Sequence, residues 1–324
     1  MPLDALLDRQ LLIISGKGGV GKTTVAAAVS VLVSRYNKRV LVCEVEGKRA
    51  LSSLFGSDEL TPTPRELRPN LYGMNISAEE SLKEYFDVQF HMKRLAKPLV
   101  ASQLVYYVTH AAPGLRDLLM LGKVWHEAVR KRSFDVIVLD TPAAGHAVSM
   151  LRSPAGFLQA VPLGPMARNA RQVVEWLQDP QKVSILLVSM AEEMPVNESI
   201  ETTHLLEEKL GMDVTATFIN MLYPPLYEDA GSEKKFRTLA SSSQLLEEAK
   251  KVKAQLNSTS AKALFEAGNF YLDRRDLQQE HRKTLVAAMK DTSRIVDLPF
   301  MFRESFGDEE IDDLAKVMED QLAL

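Results

Sequence analysis

Short, almost wholly apolar runs recur along the chain and predict strands that are buried on both faces. The clearest lie at 11–15 (LLIIS), 39–45 (RVLVCEV), 134–140 (FDVIVLD) and 183–189 (VSILLVS), with further candidates at 71–76, 215–220 and 293–299. Strands that are apolar throughout are typical of a parallel sheet covered by helices on both sides. Helical patterns separate the runs, so the sequence predicts an α/β fold with a doubly wound, mostly parallel sheet.

Three stretches are helical in pattern, and the first two of them are too long for simple crossovers. Residues 78–130 carry no strong strand pattern, residues 154–178 hold apolar positions broken by prolines, and residues 233–291 are charged and helical. We expect the first two to be insertions that form a helical subdomain at the edge of the sheet. Residues 60–70 (LTPTPRELRPN) are interpreted as a loop stiffened by proline. No flexible linker is visible, so 1–324 is predicted to be a single domain.

Composition narrows the class of protein without naming a function. The chain is 46% hydrophobic and 25% charged with a net charge of −4, which is ordinary for a globular protein and predicts no nucleic-acid binding. Its one cysteine, Cys43, excludes an intrachain disulfide and fits a cytoplasmic location. The N-terminal MPLDALLDRQ lacks the apolar core of a signal peptide. No apolar run approaches the roughly 20 residues of a membrane span, so no transmembrane segment is expected.

The stretch GKGGVGKTT follows the first predicted strand and opens the first predicted helix. It fits the pattern G-x-x-x-x-G-K-[ST] of a phosphate-binding loop in the required strand–loop–helix context. Glycines let backbone N–H groups surround a polyphosphate, and the helix N-terminus favours its negative charge. The lysine reaches the β- and γ-phosphates, and the next hydroxyl binds Mg²⁺, so ATP and Mg²⁺ are the expected ligands. The candidate residues are Gly16, Gly18, Gly19, Val20, Gly21, Lys22, Thr23 and Thr24.

A second acidic strand end completes the predicted metal site. Asp140 closes the run FDVIVLD at the carboxyl end of a strand, where open α/β sheets bind their ligands. A carboxylate at this place holds Mg²⁺, commonly through water. Thr23 and Asp140 are therefore the predicted metal residues.

The loop and several later segments resemble one family of ATPases. KGGVGKT, with its extra Lys17, resembles the deviant phosphate loop of the SIMIBI class. DTPAAGH (140–146), AAPGLRDLLMLGKV (111–124), FINMLYPP (218–225) and VDLPFMFRESFG (296–307) resemble, in order, segments of the arsenical pump-driving ATPases and their tail-anchored-protein-targeting relatives. The resemblance implies that Lys17 reaches the nucleotide of a partner subunit and that Gly145 offers a backbone N–H to the γ-phosphate. It also implies that Asn220 recognises adenine and that Pro299 and Phe300 flank the base.

Two glutamates follow the second strand, in VCEVEGKRALSSLFG. The similarity of LSSLFG to the family's Leu-Ser-x-x-Phe-Gly places Glu46 on the acid that positions the attacking water and Glu44 on an earlier acid. A carboxylate there orients water for in-line attack. Three interpretations stay open: Glu46 is a working base on a shifted loop, it marks a slow or partner-activated hydrolase, or both acids only pair with Lys48 and Arg49.

The predicted function is Mg²⁺-dependent ATP hydrolysis in a nucleotide-sandwich dimer, either a homodimer or a heterodimer with a paralogue. By resemblance, ATP-driven closure is coupled to a hydrophobic client helix or a membrane protein partner. LVASQLVYYV (99–108) and GFLQAVPLGPM (156–166) are candidates for a client groove, unless the inserted helices pack on each other. A lone cysteine makes arsenite efflux unexpected. The alternatives are a positioning ATPase of the partition or cell-division type and a slow nucleotide-gated chaperone or scaffold.

Overall fold

A computed structural model of the protein describes residues 3–46, 49–90, 114–289 and 294–322. Within these ranges the strands form one sheet in the order β3-β4-β2-β5-β1-β6-β7-β8, and every neighbouring pair is parallel except β3 with β4. Their bounds are β1 Leu11–Gly16, β2 Val40–Val45, β3 Arg65–Arg68, β4 Leu71–Ile76, β5 Val136–Asp140, β6 Val183–Met190, β7 Val214–Leu222 and β8 Arg294–Pro299.

Helices connect the strands and cover both faces of the sheet. They are α1 Asp4–Leu7, α2 Lys22–Ser34, α3 Ala50–Leu54, α4 Ala78–Phe90, α5 Leu115–Trp125 with a π-helical turn at His126–Lys131, α6 Ala144–Ala160, α7 Pro165–Leu177, α8 Glu193–Leu210, α9 Ala230–Arg237, α10 Ser242–Lys251, α11 Ser258–Ala288 and α12 Asp308–Leu322.

The central strands are buried on both faces, as their continuous apolar sequence predicts. Alternate residues point to opposite sides of a strand, so Leu12 and Ile14 of β1 join a core that includes residues of α2 and α12. Leu11 and Ile13 join a second core with residues of α5, α6 and α7. The predicted α/β fold with a doubly wound, mostly parallel sheet is confirmed.

One strand contradicts the sequence prediction. Residues 65–68, expected to lie in a proline-stiffened loop, form β3 at the edge of the sheet, antiparallel to β4. Its residues are exposed or half-buried, so it lacks the apolar signal that identified the other strands. Pro62 and Pro64 precede it, in keeping with the place of proline beside edge strands.

The inserted helices pack on each other where the structure describes them. Leu82 of α4, Leu118 of α5, Phe157 of α6 and Ala170 of α7 belong to one small apolar cluster. The predicted insertion at 154–178 begins inside α6, which contains Pro154. The block at 233–291 begins inside α9 and contains α10 and α11. The candidate client segment 99–108 lies outside the described residues. In the ranges described, no helix has both the length and the apolar character needed to span a bilayer.

Candidate nucleotide-binding site

The phosphate loop lies between β1 and α2, at the carboxyl edge of the sheet. Two glycines are required there by close contacts. A Cβ on Gly16 would lie 2.1 Å from the carbonyl oxygen of Val188 in β6, and a Cβ on Gly21 would lie 2.3 Å from Nδ2 of Asn220. Gly21 also has a φ of 89°, a left-handed conformation that costs other residues about 1–2 kcal/mol. The loop is thus pressed against β6 and β7.

Asn220 fixes the loop from β7. Its side chain is 3% exposed, and Nδ2 donates a hydrogen bond of 2.9 Å to the carbonyl oxygen of Val20. Gln278 of α11 supports the same strand end, because it donates to the carbonyl of Met221 and accepts from the N–H of Tyr223. The structure shows Asn220 bonded to the phosphate loop through the Val20 carbonyl. Recognition of adenine by Asn220 stays a prediction.

The two loop lysines have different partners. Lys22 is buried, and its Nζ donates to the carbonyl oxygen of Lys17 at 2.8 Å. Lys17 extends away from the loop and forms an ion pair with Glu198 of α8 at 2.7 Å. The side chains of this pair are 27% and 38% exposed, so Lys17 is the accessible lysine of the two.

Thr23 and Asp140 meet as the sequence predicts. The Thr23 hydroxyl donates to Oδ2 of Asp140 at 2.7 Å, which joins the start of α2 to the end of β5. Next in sequence, Thr141 donates through its hydroxyl to the carbonyl oxygen of Ile14 in β1 at 2.6 Å. A hydroxyl and a carboxylate side by side are hard oxygen ligands that suit Mg²⁺. Thr23 and Asp140 therefore fit the metal that a phosphate loop requires.

The two glutamates after β2 occupy different environments. Glu44 is 2% exposed, pairs in register with Asp140 across β2 and β5, and accepts from the backbone N–H of Ala50 at 3.1 Å. Glu46 has an exposed side chain and pairs with Arg116 of α5 at 2.5 Å. Arg49 pairs with Glu59 instead. The geometry therefore favours Glu46 as the carboxylate that can reach a ligand and gives Glu44 a role in holding the loop.

The start of α6 approaches the phosphate loop from the side of β5. A Cβ on Gly18 would lie 4.0 Å from Cβ of Ala143, and Gly145 lies in the first turn of α6. The first N–H groups of a helix have no acceptors within it and favour anions. This placement suits the predicted contact of the Gly145 N–H with a γ-phosphate, which stays a prediction.

Asp117 of α5 interacts electrostatically with Glu46 and with His146 in the first turn of α6. Burial raises the pKa of Asp117, the charge of Glu46 acts in the same direction, and Arg116 and His146 oppose the shift. Glu46, Arg116 and His146 therefore all act on the Asp117 carboxyl beside the predicted site. They bring together the segment after β2 and the first turns of α5 and α6.

Pro299 and Phe300 lie farther along the same edge. Pro299 is paired in register with Leu222, and the N–H of Phe300 donates to the carbonyl oxygen of Leu222 at 2.7 Å. The Phe300 ring lies 5.5 Å from Tyr223 and 4.7 Å from Phe302, measured between centroids. Three strand spacings, about 14 Å, separate β8 from β1. The predicted base contacts thus lie at the β8 end of the carboxyl edge, and the predicted phosphate contacts lie near its centre.

Sequence reasoning missed three residues that act on this site. Glu198 binds Lys17, Arg116 binds Glu46, and Gln278 holds the end of β7. Arg116 stood in a segment that resembled the family, yet nothing in the sequence assigned it a partner. In the part of the chain that the structure describes, no cluster of three or more metal-binding side chains occurs.

Comparison with known proteins supports the resemblance. The family model of the anion-transporting ATPases matches residues 9–169, which include the phosphate loop, Glu44, Glu46, Asp140 and Gly145. ATPase BagA of Mycobacterium tuberculosis is 28% identical over 225 residues, 66% of each chain. ATPase get3 of Schizosaccharomyces japonicus is 30% identical over 160 residues, 47% of each chain.

The chain thus spans about two thirds of the length of the first relative and about half of the second. The matched region contains the residues that are predicted to bind phosphate, whereas Asn220, Pro299 and Phe300 lie beyond it. On the sequence match and the geometry of the phosphate loop together, the chain is similar to the anion-transporting ATPases, and the matched residues 9–169 make up just under half of it.

Proposed function

We propose that this protein is a Mg²⁺-dependent ATPase that works as a nucleotide-sandwich dimer. The observation that carries the proposal is the phosphate loop itself, with Lys22 folded against it and Thr23 bonded to Asp140 at 2.7 Å. A buried lysine and a hydroxyl at the start of α2, with a carboxylate at the end of β5, form the arrangement that binds a nucleoside triphosphate and its metal. The similarity of residues 9–169 to the anion-transporting ATPases supports the same conclusion.

The chain's own residues act mainly by binding and orientation. Backbone N–H groups of the loop bind the phosphates, and Lys22 turns from the Lys17 carbonyl toward the β- and γ-phosphates. Mg²⁺, held by Thr23 and Asp140, would neutralise negative charge on the phosphate oxygens. Glu46 accepts a hydrogen bond from water and aligns it with the γ-phosphorus. The new P–O bond forms as the bond to the β–γ bridging oxygen breaks, which yields ADP and phosphate.

The dimer part of the proposal rests on Lys17. Its Nζ lies on the accessible side of the loop and is paired with Glu198, so a modest rotation of the side chain frees it for another anion. A lysine that reaches the partner's phosphates would stabilise charge that develops in the transition state, as an arginine finger does. The partner is a second copy of this chain or a paralogue.

A hydrophobic client or membrane protein partner is proposed for the inserted helices. A cavity of about 330 Å³ lies between α4, α5 and α7, lined by apolar side chains such as Leu118, Met166 and Val173 together with Lys123 and His126. Leu163, between α6 and α7, is 84% exposed. Apolar surface that is not covered within a chain marks sites of interaction with partners.

Mass in solution and turnover test the proposal together. We expect the wild type to dimerise with a non-hydrolysable ATP analogue and to be monomeric with ADP, and Lys17→Ala to lose the ATP-dependent dimer. Glu46→Gln should bind ATP normally and hydrolyse it at least about tenfold more slowly. A wild type that binds Mg-ATP without turnover would refute the proposed ATPase activity. A mass that does not depend on the nucleotide would refute the proposed dimer.

A further inference from the structure

We infer that Arg116 is a positioning residue for Glu46, and that through this contact the first turn of α5 sets the location of the water-orienting carboxylate. The inference rests on the proposed ATPase function and adds a residue that the phosphate-loop motif does not contain. It makes the inserted helices a structural part of the hydrolytic site.

The contact joins two segments that are otherwise separate. Nη2 of Arg116 lies 2.5 Å from Oε1 of Glu46, and both side chains are partly exposed, at 38% and 45%. Glu46 has a φ of 56°, so the chain turns sharply where β2 ends. Its backbone N–H donates to the carbonyl oxygen of Ile76 at 2.9 Å. The backbone of Glu46 is thus held by β4 and its carboxylate by α5.

The guanidinium is carried by a well-packed helix. Leu115, Leu118 and Leu119, which flank Arg116 in sequence, are all at most 5% exposed. They belong to the apolar cluster shared by α4, α5, α6 and α7. Immediately before the helix, Gly114 packs so closely on α6 that an added Cβ would lie 3.1 Å from Cβ of Ser153. A shift of these helices therefore moves the guanidinium with them.

The charges around the pair indicate that Arg116 serves Glu46 rather than its own helix. A cation in the first turn is unfavourable for the helix dipole, and Arg116 is the second residue of α5. Asp117 follows it, and the charge of Glu46 raises the pKa of that carboxyl further after burial has raised it. Without Arg116, Glu46 would face the Asp117 carboxylate and be repelled from this place.

Glu44 provides the contrast within the same strand end. Its carboxylate accepts from the Ala50 N–H and is almost completely buried, so it is anchored to the segment that follows β2. Loss of Arg116 should therefore displace Glu46 and leave both Glu44 and the phosphate loop in place. A displacement of about 1 Å at a reacting centre is able to reduce a rate by about 10²-fold.

The kinetic test uses Arg116→Ala, Arg116→Lys and the double variant Arg116→Ala/Glu46→Gln. We expect Arg116→Ala to lower kcat by about 10- to 100-fold with KM for Mg-ATP changed less than about threefold. Arg116→Lys should restore part of kcat, since it keeps the charge. In the Glu46→Gln background the same alanine change should have little further effect. Arg65→Ala is the matched control, because Arg65 forms another exposed ion pair, with Asp58 at 2.8 Å.

A second readout does not depend on turnover. Trypsin cleaves after Arg49, three residues beyond Glu46, and release of Glu46 from α5 should speed that cleavage at least about threefold in the nucleotide-free protein. Unchanged cleavage and unchanged kcat in Arg116→Ala would overturn the inference, as would an equal loss of kcat in the Glu46→Gln background. A wild type without ATPase activity would refute the proposed function, and the cleavage rate would then decide the role of Arg116 by itself.

Discussion

The ion pair between Lys17 and Glu198 gives the sharpest test of the dimer mechanism. In the single chain, Nζ of Lys17 lies 2.7 Å from Oε1 of Glu198. If Lys17 has to bind a partner's nucleotide, this contact competes with dimerisation. Replacing Glu198 by glutamine removes the charge and keeps the shape of the side chain. We therefore expect Glu198→Gln to dimerise more tightly in the presence of an ATP analogue.

The expected size follows from the exposure of the pair. Because the two side chains are 27% and 38% exposed, solvent screens them and the pair is worth about 0.2–1 kcal/mol. A symmetric dimer releases two such pairs, so the total is about 0.4–2 kcal/mol, which corresponds to a gain of about 2- to 30-fold in the dimer association constant. The gain should shrink as salt is raised, since the Debye length falls to about 3 Å at 1 M.

Sedimentation equilibrium with a non-hydrolysable ATP analogue at low and high salt measures this difference. Glu201→Gln is the matched control, because Glu201 is an exposed acid on the same helix one turn away. In a Lys17→Ala background, Glu198→Gln should change nothing. Weaker dimerisation of Glu198→Gln, or a gain of the same size without Lys17, would refute the idea that Glu198 competes for the trans-acting lysine.

Three further predictions concern the loop and the inserted helices. Asn220→Ala removes the side chain that donates to the buried Val20 carbonyl. We expect it to lower the free energy of unfolding, measured by urea titration, by about 1–3 kcal/mol and to weaken ATP binding. Unchanged stability would contradict the anchoring role of Asn220. Gly16→Ala would place a Cβ 2.1 Å from the Val188 carbonyl oxygen, so ATP binding by calorimetry should be lost, whereas Gly122→Ala, at an open position on α5, should bind normally. Burial raises the pKa of Glu84, but Lys123 and Lys131 outweigh it and hold the pKa below its ordinary value. Its ionised form thus adds stability that is full above the unfolded pKa and is lost as the pH falls through the folded pKa. Urea titrations between pH 3 and 7 should show a shallower acid loss for Glu84→Gln, and parallel curves would refute this.

Most of the fold followed from the sequence because burial is periodic and local. The apolar run at 71–76 matches β4 residue for residue, and 39–45 and 183–189 match β2 and β6 to within one residue at each end. A strand buried on both faces has to be apolar throughout, so a short continuous apolar run in the sequence identifies it. By contrast, the side chains of β3 are exposed or half-buried, and nothing in the residues RELR distinguishes an edge strand from a loop.

The candidate site divides in the same way. The phosphate loop was predictable because the glycines and the lysine that its backbone path requires lie within one short stretch of sequence. The partners of its charges were not, because Glu198 is 181 residues from Lys17 and Arg116 is 70 residues from Glu46. Such pairings depend on how helices pack across the sheet, and one sequence contains no local signal for them. Among the interpretations of the two glutamates, pairing with Arg49 is not what the structure has, since Arg49 pairs with Glu59, while Lys48 lies outside the described residues.

Burial separates the parts of the site that hold from the parts that are able to move. Asn220, Glu44 and the Thr23–Asp140 pair are buried or nearly so, and breaking their contacts leaves polar groups without water, which is costly. Lys17 and Glu46 are held by partly exposed ion pairs whose strength is small. Of these two residues, Lys17 is the one that has to reposition if ATP closes a dimer, whereas Glu46 has to keep its contact with Arg116 while it orients the water. The fold therefore keeps Lys17 on a contact weak enough for the phosphates of a partner to replace.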